Sequence, residues 1–259
     1  MNAELKRHRV GRTLVLTISN PQHRNALGPE LYIEGVEALN LAESSHELGS
    51  VIITGEGSLF SAGGNLQRLQ ANRQQDPSVQ AQSLDALHAW IETIRAFPKP
   101  VIAAVEGAAA GAGFSLALAC DLIVAARDAV FAMAYSKLAL SPDGGGSWSL
   151  SRALPRQLVT ELLMCAERIG APRLAELGVV NRLCEPGEAL GEALALAEQL
   201  NGGAPNALAS IKAIVNEADQ NSLGEHLALE RAHFVRNLHH PNAGRGIEAF
   251  LAKQTPRFE

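Results

Sequence analysis

The sequence predicts an α/β fold followed by a helical C-terminal part. Apolar, strand-like runs up to residue 126 give way repeatedly to glycine turns and then to helical stretches, which implies helices layered on a sheet. Beyond residue 143 the pattern is mainly helical. With 259 residues, 47% of them apolar, one domain of this class can bury a sizeable core. No internal repeat or linker interrupts the chain. We place an α/β core over 1–200 and a helical region over 201–259.

The elements follow in order. "TLVLTIS" (13–19) alternates and is β-branched, as a strand requires, and "LKRHRVG" before it pairs with it as a hairpin. Gly28-Pro29-Glu30 opens a helix, with proline in its first turn, that runs to about Glu43. "SVIITGEG" is a short buried strand and "FSAGGNL" a loop leading into a helix. Residues 67–82 hold six glutamines and one proline with no apolar period, and read as a mobile loop. Leu84, Leu87, Ile91 and Ile94 mark one helical face. "PVIAAVEG", "AGFSLALAC" and "DLIVAA" read as strand, helix and strand. Ser222 and Glu225 form a capping box for a helix carrying Leu227, Phe234 and Leu238, and a last helix covers roughly 243–253.

Composition excludes several functions. With 22 basic and 27 acidic residues the net charge is −5, so no cationic field is available for nucleic acid or an anionic membrane. The stretch 101–126 is interrupted by Glu106, Asp121 and glycines and reads as buried core, not as a membrane span. Cys120, Cys165 and Cys184 are isolated, which points to a reduced, cytoplasmic compartment with no disulfide framework or zinc site. No apolar run follows the basic residues near the N-terminus, so a signal peptide is not expected. The histidines at 226, 233, 239 and 240 lack accompanying carboxylates or thiolates and read as surface or interface rather than as a metal site.

The segment 101–128 invites three bland readings. As a dinucleotide loop it lacks the third glycine. As a nucleophile elbow it puts Ser115 about ten residues beyond the strand instead of directly after it. As simple packing, its small residues let a helix approach the sheet. A fourth reading joins it to "LFSAGGNL". Two glycine-rich turns each follow a strand, and amides at such turns can converge on one oxygen, helped by the positive end of the helix near Gly113.

"FSAGGNL", "GAAAGAGFSLALACDLIVAARDAVFAM" and "SKLALSPDGGGSWSLSR" together resemble the crotonase (enoyl-CoA hydratase/isomerase) superfamily, over nearly the whole chain. The resemblance implies a spiral of ββα units, a C-terminal helical region that builds a homotrimer or a dimer of trimers, and a small-molecule acyl-CoA thioester as ligand. No permanently bound cofactor is implied; coenzyme A arrives as part of the substrate. It places the oxyanion hole on the amides of Gly64 and Ala112. It assigns substrate or CoA contacts to Arg24, Ala26, Leu27, Ala62, Asn65, Leu66 and Tyr135, and to Phe250 and Lys253 of a neighbouring subunit. The chain also departs from the family. Where hydratases carry two glutamates that hold and activate water, Ser115 and Tyr135 stand. Asn65 replaces an aspartate and Gln67 a phosphate-binding lysine, with Arg68 or Arg24 as candidate substitutes.

Asp143 precedes three glycines. Its plain role is the N-cap of the helix that follows. The glycines each cost up to ~1 kcal/mol against alanine inside a helix, which is reasonable where backbone passes close to a ligand. Isomerases of the phenylacetate pathway share the pattern SKL-x-L-x-PD-x-GG-x-W, and the resemblance implies that Asp143 is the acid/base. His88, four residues after Leu84, is expected along the apolar helix face. The aryl-CoA dehalogenases of the superfamily nevertheless have a histidine there and a nucleophilic aspartate at the position of Asp143. The leading expectation is an isomerase that shifts a double bond or rearranges a ring through a thioester enolate. The alternatives are a hydrolase, a dehalogenase-like enzyme, an atypical hydratase, and a non-catalytic acyl-CoA binder.

Overall fold

The computed structural model describes residues 3–258. Strands β1 (Glu4–Val10) and β2 (Thr13–Ser19) form the expected antiparallel hairpin. Helix α1 (Pro29–Ser44) leads to β3 (Ser50–Gly55). Helices α2 (Leu66–Asn72) and α3 (Pro77–Ala96) precede β4 (Val101–Val105) and β5 (Ala108–Ala110). Then come α4 (Ala112–Ala119), β6 (Leu122–Ala126), β7 (Val130–Ala132), α5 (Gly146–Ala153) and α6 (Arg156–Met164). The chain continues through β8 (Arg168–Gly170), α7 (Ala171–Glu176), β9 (Arg182–Cys184) and α8 (Ala189–Asn201). Helices α9 (Pro205–Glu217), α10 (Leu223–Leu238) and α11 (Pro241–Leu251) end it.

Six strands form the main sheet in the order β1-β2-β3-β4-β6-β9, parallel except for the first hairpin, and β5-β7-β8 form a second, smaller sheet. Strand β4 is buried along its whole length, as its unbroken apolar run requires of a strand covered on both faces. Side chains of the main sheet alternate. Val15, Ile52, Ile102 and Val124 pack against Ala189, Ala193, Leu196 and Ala197 of α8, while Leu16, Val51, Ile53 and Val101 face the larger core under α1, α3 and α4. Helix α4, apolar on every side, is buried almost throughout.

Helices occupy most of 67–82, so the expectation of a mobile loop there is corrected. Asn65 starts α2 by accepting from the Gln67 and Arg68 amides at 3.0 and 3.1 Å. Asp76 starts α3 by accepting from Ser78 N at 2.9 Å, with Pro77 in the first turn. Capping and proline nucleate these turns where apolar periodicity is absent; α2 buries no residue. The capping box at Ser222 and Glu225 is formed. Among the described residues no helix is long and apolar enough to cross a membrane.

Candidate active site

Two loops meet at the end of the main sheet. Ser61 and Ala109 form a parallel bridge: Ser61 N donates to Ala108 O at 3.1 Å and Ala110 N to Ser61 O at 2.9 Å. A second bridge joins Leu27 to Gly64, with Leu27 N donating to Gly63 O at 2.7 Å. Asn25 fastens this junction. Held in the left-handed region, it donates to Glu56 O and Leu59 O at 2.9 and 2.7 Å. Gly63 (φ +85°) lies so close that a Cβ there would fall 2.4 Å from Ala110 O and 3.1 Å from Ala112 N. Only glycine permits that approach, and it brings the Gly64 and Ala112 amides to the same junction. Among the described residues neither amide donates to a protein acceptor. Ala112 is the first residue of α4, where amides lack intrahelical partners and the helix dipole is positive.

Asp143 is tied to the same helix. Ser115, one turn on from Ala112 and 1% exposed, donates its hydroxyl to Asp143 O at 2.9 Å. The Asp143 carboxylate is half-buried and accepts from Tyr135 Oη at 2.6 Å. Burial pushes its pKa up, while the Tyr135 hydroxyl and the charge of His88 pull it down. Burial and the neighbouring carboxylate push the Tyr135 phenol far up, so it remains a donor.

Two sequence expectations about this segment are corrected. Asp143 is not a helix cap: the N-cap of α5 is Gly145, with no side-chain capping bond, and the carboxylate is free to serve elsewhere. The glycines answer to protein packing. Gly144 (φ +58°) and Gly145 (φ +74°) occupy conformations that side chains resist, and a Cβ on Gly146 would fall 2.5 Å from Ser115 Oγ. His88 does not lie along the buried helix face either; it is exposed, because the buried stripe of α3 runs through Ser83, Leu87, Trp90, Ile91 and Ile94, and adjacent residues point about 100° apart. Its charge still reaches Asp143.

Arg24, Ala26, Ala62, Gly64, Asn65 and Leu66 line one cavity of about 460 Å3. Neither Ala112 nor Asp143 is part of its wall. Of the two candidate substitutes for the missing lysine, Arg24 lines this cavity and Arg68 does not. Arg68 and Leu27 instead line a neighbouring cavity of about 360 Å3. Phe250 is 83% exposed, and Lys253 is exposed just beyond α11; neither lines the cavity of its own chain. Sequence reasoning missed Lys137 and Tyr32. Lys137 faces the larger cavity, and its place in "SKL", within the quoted motif, was the available signal. Tyr32 is 3% exposed yet feels both Arg68 and Asp143, and nothing in the sequence of α1 marks it. Among the described residues no group of histidine, cysteine and acidic side chains could hold a metal.

The family model for enoyl-CoA hydratase/isomerase matches residues 11–259. The chain is 33% identical to 1,2-epoxyphenylacetyl-CoA isomerase of Escherichia coli K12, over 95% of this chain and 94% of that protein. It is also 33% identical to 2,3-dehydroadipyl-CoA hydratase of the same organism, over 99% of each. The crystal structure of an enoyl-CoA hydratase from Polaromonas sp. JS666 is 65% identical, covers 98% of this chain and 99% of that one, and superposes with a TM-score of 0.98. The paired glycine turns, the buried α4 and the match along the chain agree: the protein belongs to the enoyl-CoA hydratase/isomerase (crotonase) family.

Proposed function

We propose that the protein is an acyl-CoA isomerase that moves a double bond, or rearranges a ring, through a thioester enolate. One observation carries this reading: among the described residues the junction around α4 offers a single carboxylate, Asp143, held by Tyr135 Oη at 2.6 Å, and both positions that hold water-activating glutamates in hydratases serve to fix it. The Gly64 and Ala112 amides take the thioester oxygen and stabilise the charge that develops on it. The Asp143 carboxylate removes a proton from one carbon and returns it to another, so no water enters the product. The acyl group extends past Gly64 from the larger cavity, where Arg24 and Lys137 meet the phosphates of coenzyme A. Phe250 and Lys253 contact coenzyme A bound to a neighbouring subunit of a homotrimer or dimer of trimers, and the enzyme works without a resident cofactor.

Asp143→Asn tests the reading. Isomerisation of enoyl-CoA thioesters should vanish while thioester binding persists; unchanged turnover removes Asp143 from the mechanism. A second reading is hydration, favoured by the name of the Polaromonas relative at 65% identity. Incubating crotonyl-CoA with the enzyme and weighing the product separates the two, because hydration adds the mass of water and isomerisation adds none. A third is hydrolysis or dehalogenation, favoured by the charge of His88 acting on Asp143. Label from heavy-oxygen water entering Asp143 during a single turnover would establish that covalent route.

A further inference from the structure

We propose that Arg68 is a receptor for a carboxylate at the far end of the acyl group, so that the enzyme selects ω-carboxyl acyl-CoA thioesters. This rests on the acyl-CoA reading above. Arg68 follows the Gly64 amide by four residues, on the first turn of α2. Its guanidinium turns inward: a Cβ on Gly28 would sit 2.5 Å from Nη1 and 3.3 Å from Glu30 Oε2, so the group lies against that backbone. Nε is buried and has no hydrogen-bond partner, and Nη2 reaches Leu27 O only at 3.4 Å. Among the described residues no carboxylate stands within ion-pair distance of it. Glu30 shares the cavity wall but is exposed to solvent.

A guanidinium carries five donors in a planar fork shaped for a carboxylate, and buried donors without partners are rare. The location fits an acyl end rather than a phosphate, because Arg68 is absent from the wall of the larger cavity and lines the 360 Å3 cavity beside it. An alkyl end would cover the buried Nε without satisfying it; a carboxylate would satisfy it.

The test uses two saturated six-carbon thioesters, hexanoyl-CoA and adipoyl-CoA, titrated into the wild-type protein by calorimetry. Adipoyl-CoA should bind about tenfold tighter or more, the effect of one or two hydrogen bonds to a charged group. Arg68→Gln should collapse that ratio towards one. Equal affinities in the wild type, or a ratio unaltered in Arg68→Gln, overturn the receptor. The ratio is read without turnover, so it is separate from the fate of the proton shuttle. Full activity in Asp143→Asn with the ratio intact removes Asp143 alone, whereas failure of both thioesters to bind removes the acyl-CoA reading and the receptor with it.

Discussion

Tyr135→Phe removes one hydroxyl and nothing else from the site. That hydroxyl donates to Asp143 Oδ1 at 2.6 Å, and its hydrogen bond opposes the burial that pushes the carboxyl pKa up. A hydrogen bond to a charged group contributes roughly 1.5–3 kcal/mol. At about 1.4 kcal/mol per pKa unit this corresponds to about one to two units. Asp143 is half-buried, so solvent replaces part of the loss and the lower figure applies. The bond stabilises the carboxylate, so its removal raises the pKa. The base form is the active one, and the acidic limb of kcat/KM should therefore move up by about one unit. Turnover on the alkaline plateau should survive, because the carboxylate remains. The linkage has the same sign: a carboxyl whose folded pKa lies above its unfolded one favours folding at low pH and loses that contribution as pH rises, so the variant should be most destabilised above the Asp143 pKa. An acidic limb that stays in place, or moves down, in a folded variant would refute the role of Tyr135 as the positioning donor to the catalytic acid.

Three further outcomes follow from the same contacts. Gly63→Ala should lower kcat by about 100-fold or more, the usual loss when an oxyanion donor is displaced, since its Cβ would meet Ala110 O at 2.4 Å; steady-state kinetics on a variant shown to fold checks it. Gly144→Ala should destabilise the protein by about 1–2 kcal/mol, because φ is +58° and the new methyl would press on Ser115 Cβ at 3.0 Å; denaturant unfolding measures it. Lys212→Met should cost about 1–3 kcal/mol in the same assay. Its Nζ, on a side chain only 9% exposed, ties α9 to Asp121 Oδ2 and Ile94 O at 2.8 and 2.9 Å.

The strands and most helices were legible because burial on both faces leaves an apolar run and burial on one face leaves a period; β4 and α3 show each case. The segment 67–82 was not, because α2 buries nothing and only its caps, Asn65 and Asp76, record the helices. The glycine turns of the oxyanion loops were readable as turns. Their convergence was an expectation of the turn pattern and of the family resemblance; the Ser61–Ala109 bridge that brings the turns together follows from sheet order, which no local pattern encodes. Arg68 was legible only as a candidate phosphate ligand; that it lines the neighbouring cavity instead depends on the packing of α2 against the Leu27–Gly28 turn, which no local pattern encodes.

The departures from the family pattern are coupled to one another. Ser115 holds the Asp143 carbonyl, Tyr135 holds its carboxylate, and the three glycines after it let the chain pass close over α4. A glutamate in place of Ser115 would have no room, since a Cβ on Gly146 would already fall 2.5 Å from Ser115 Oγ and one on Gly144 3.0 Å from Ser115 Cβ. Close-packed interiors do not absorb an added methylene and a carboxyl in place of a hydroxyl without backbone shifts. Ser115→Glu should therefore displace the Asp143 segment and lower isomerase activity instead of adding a hydratase. Water-dependent chemistry gained without loss of the original turnover would show that these residues are independent, and that the single-acid reading of the site is wrong.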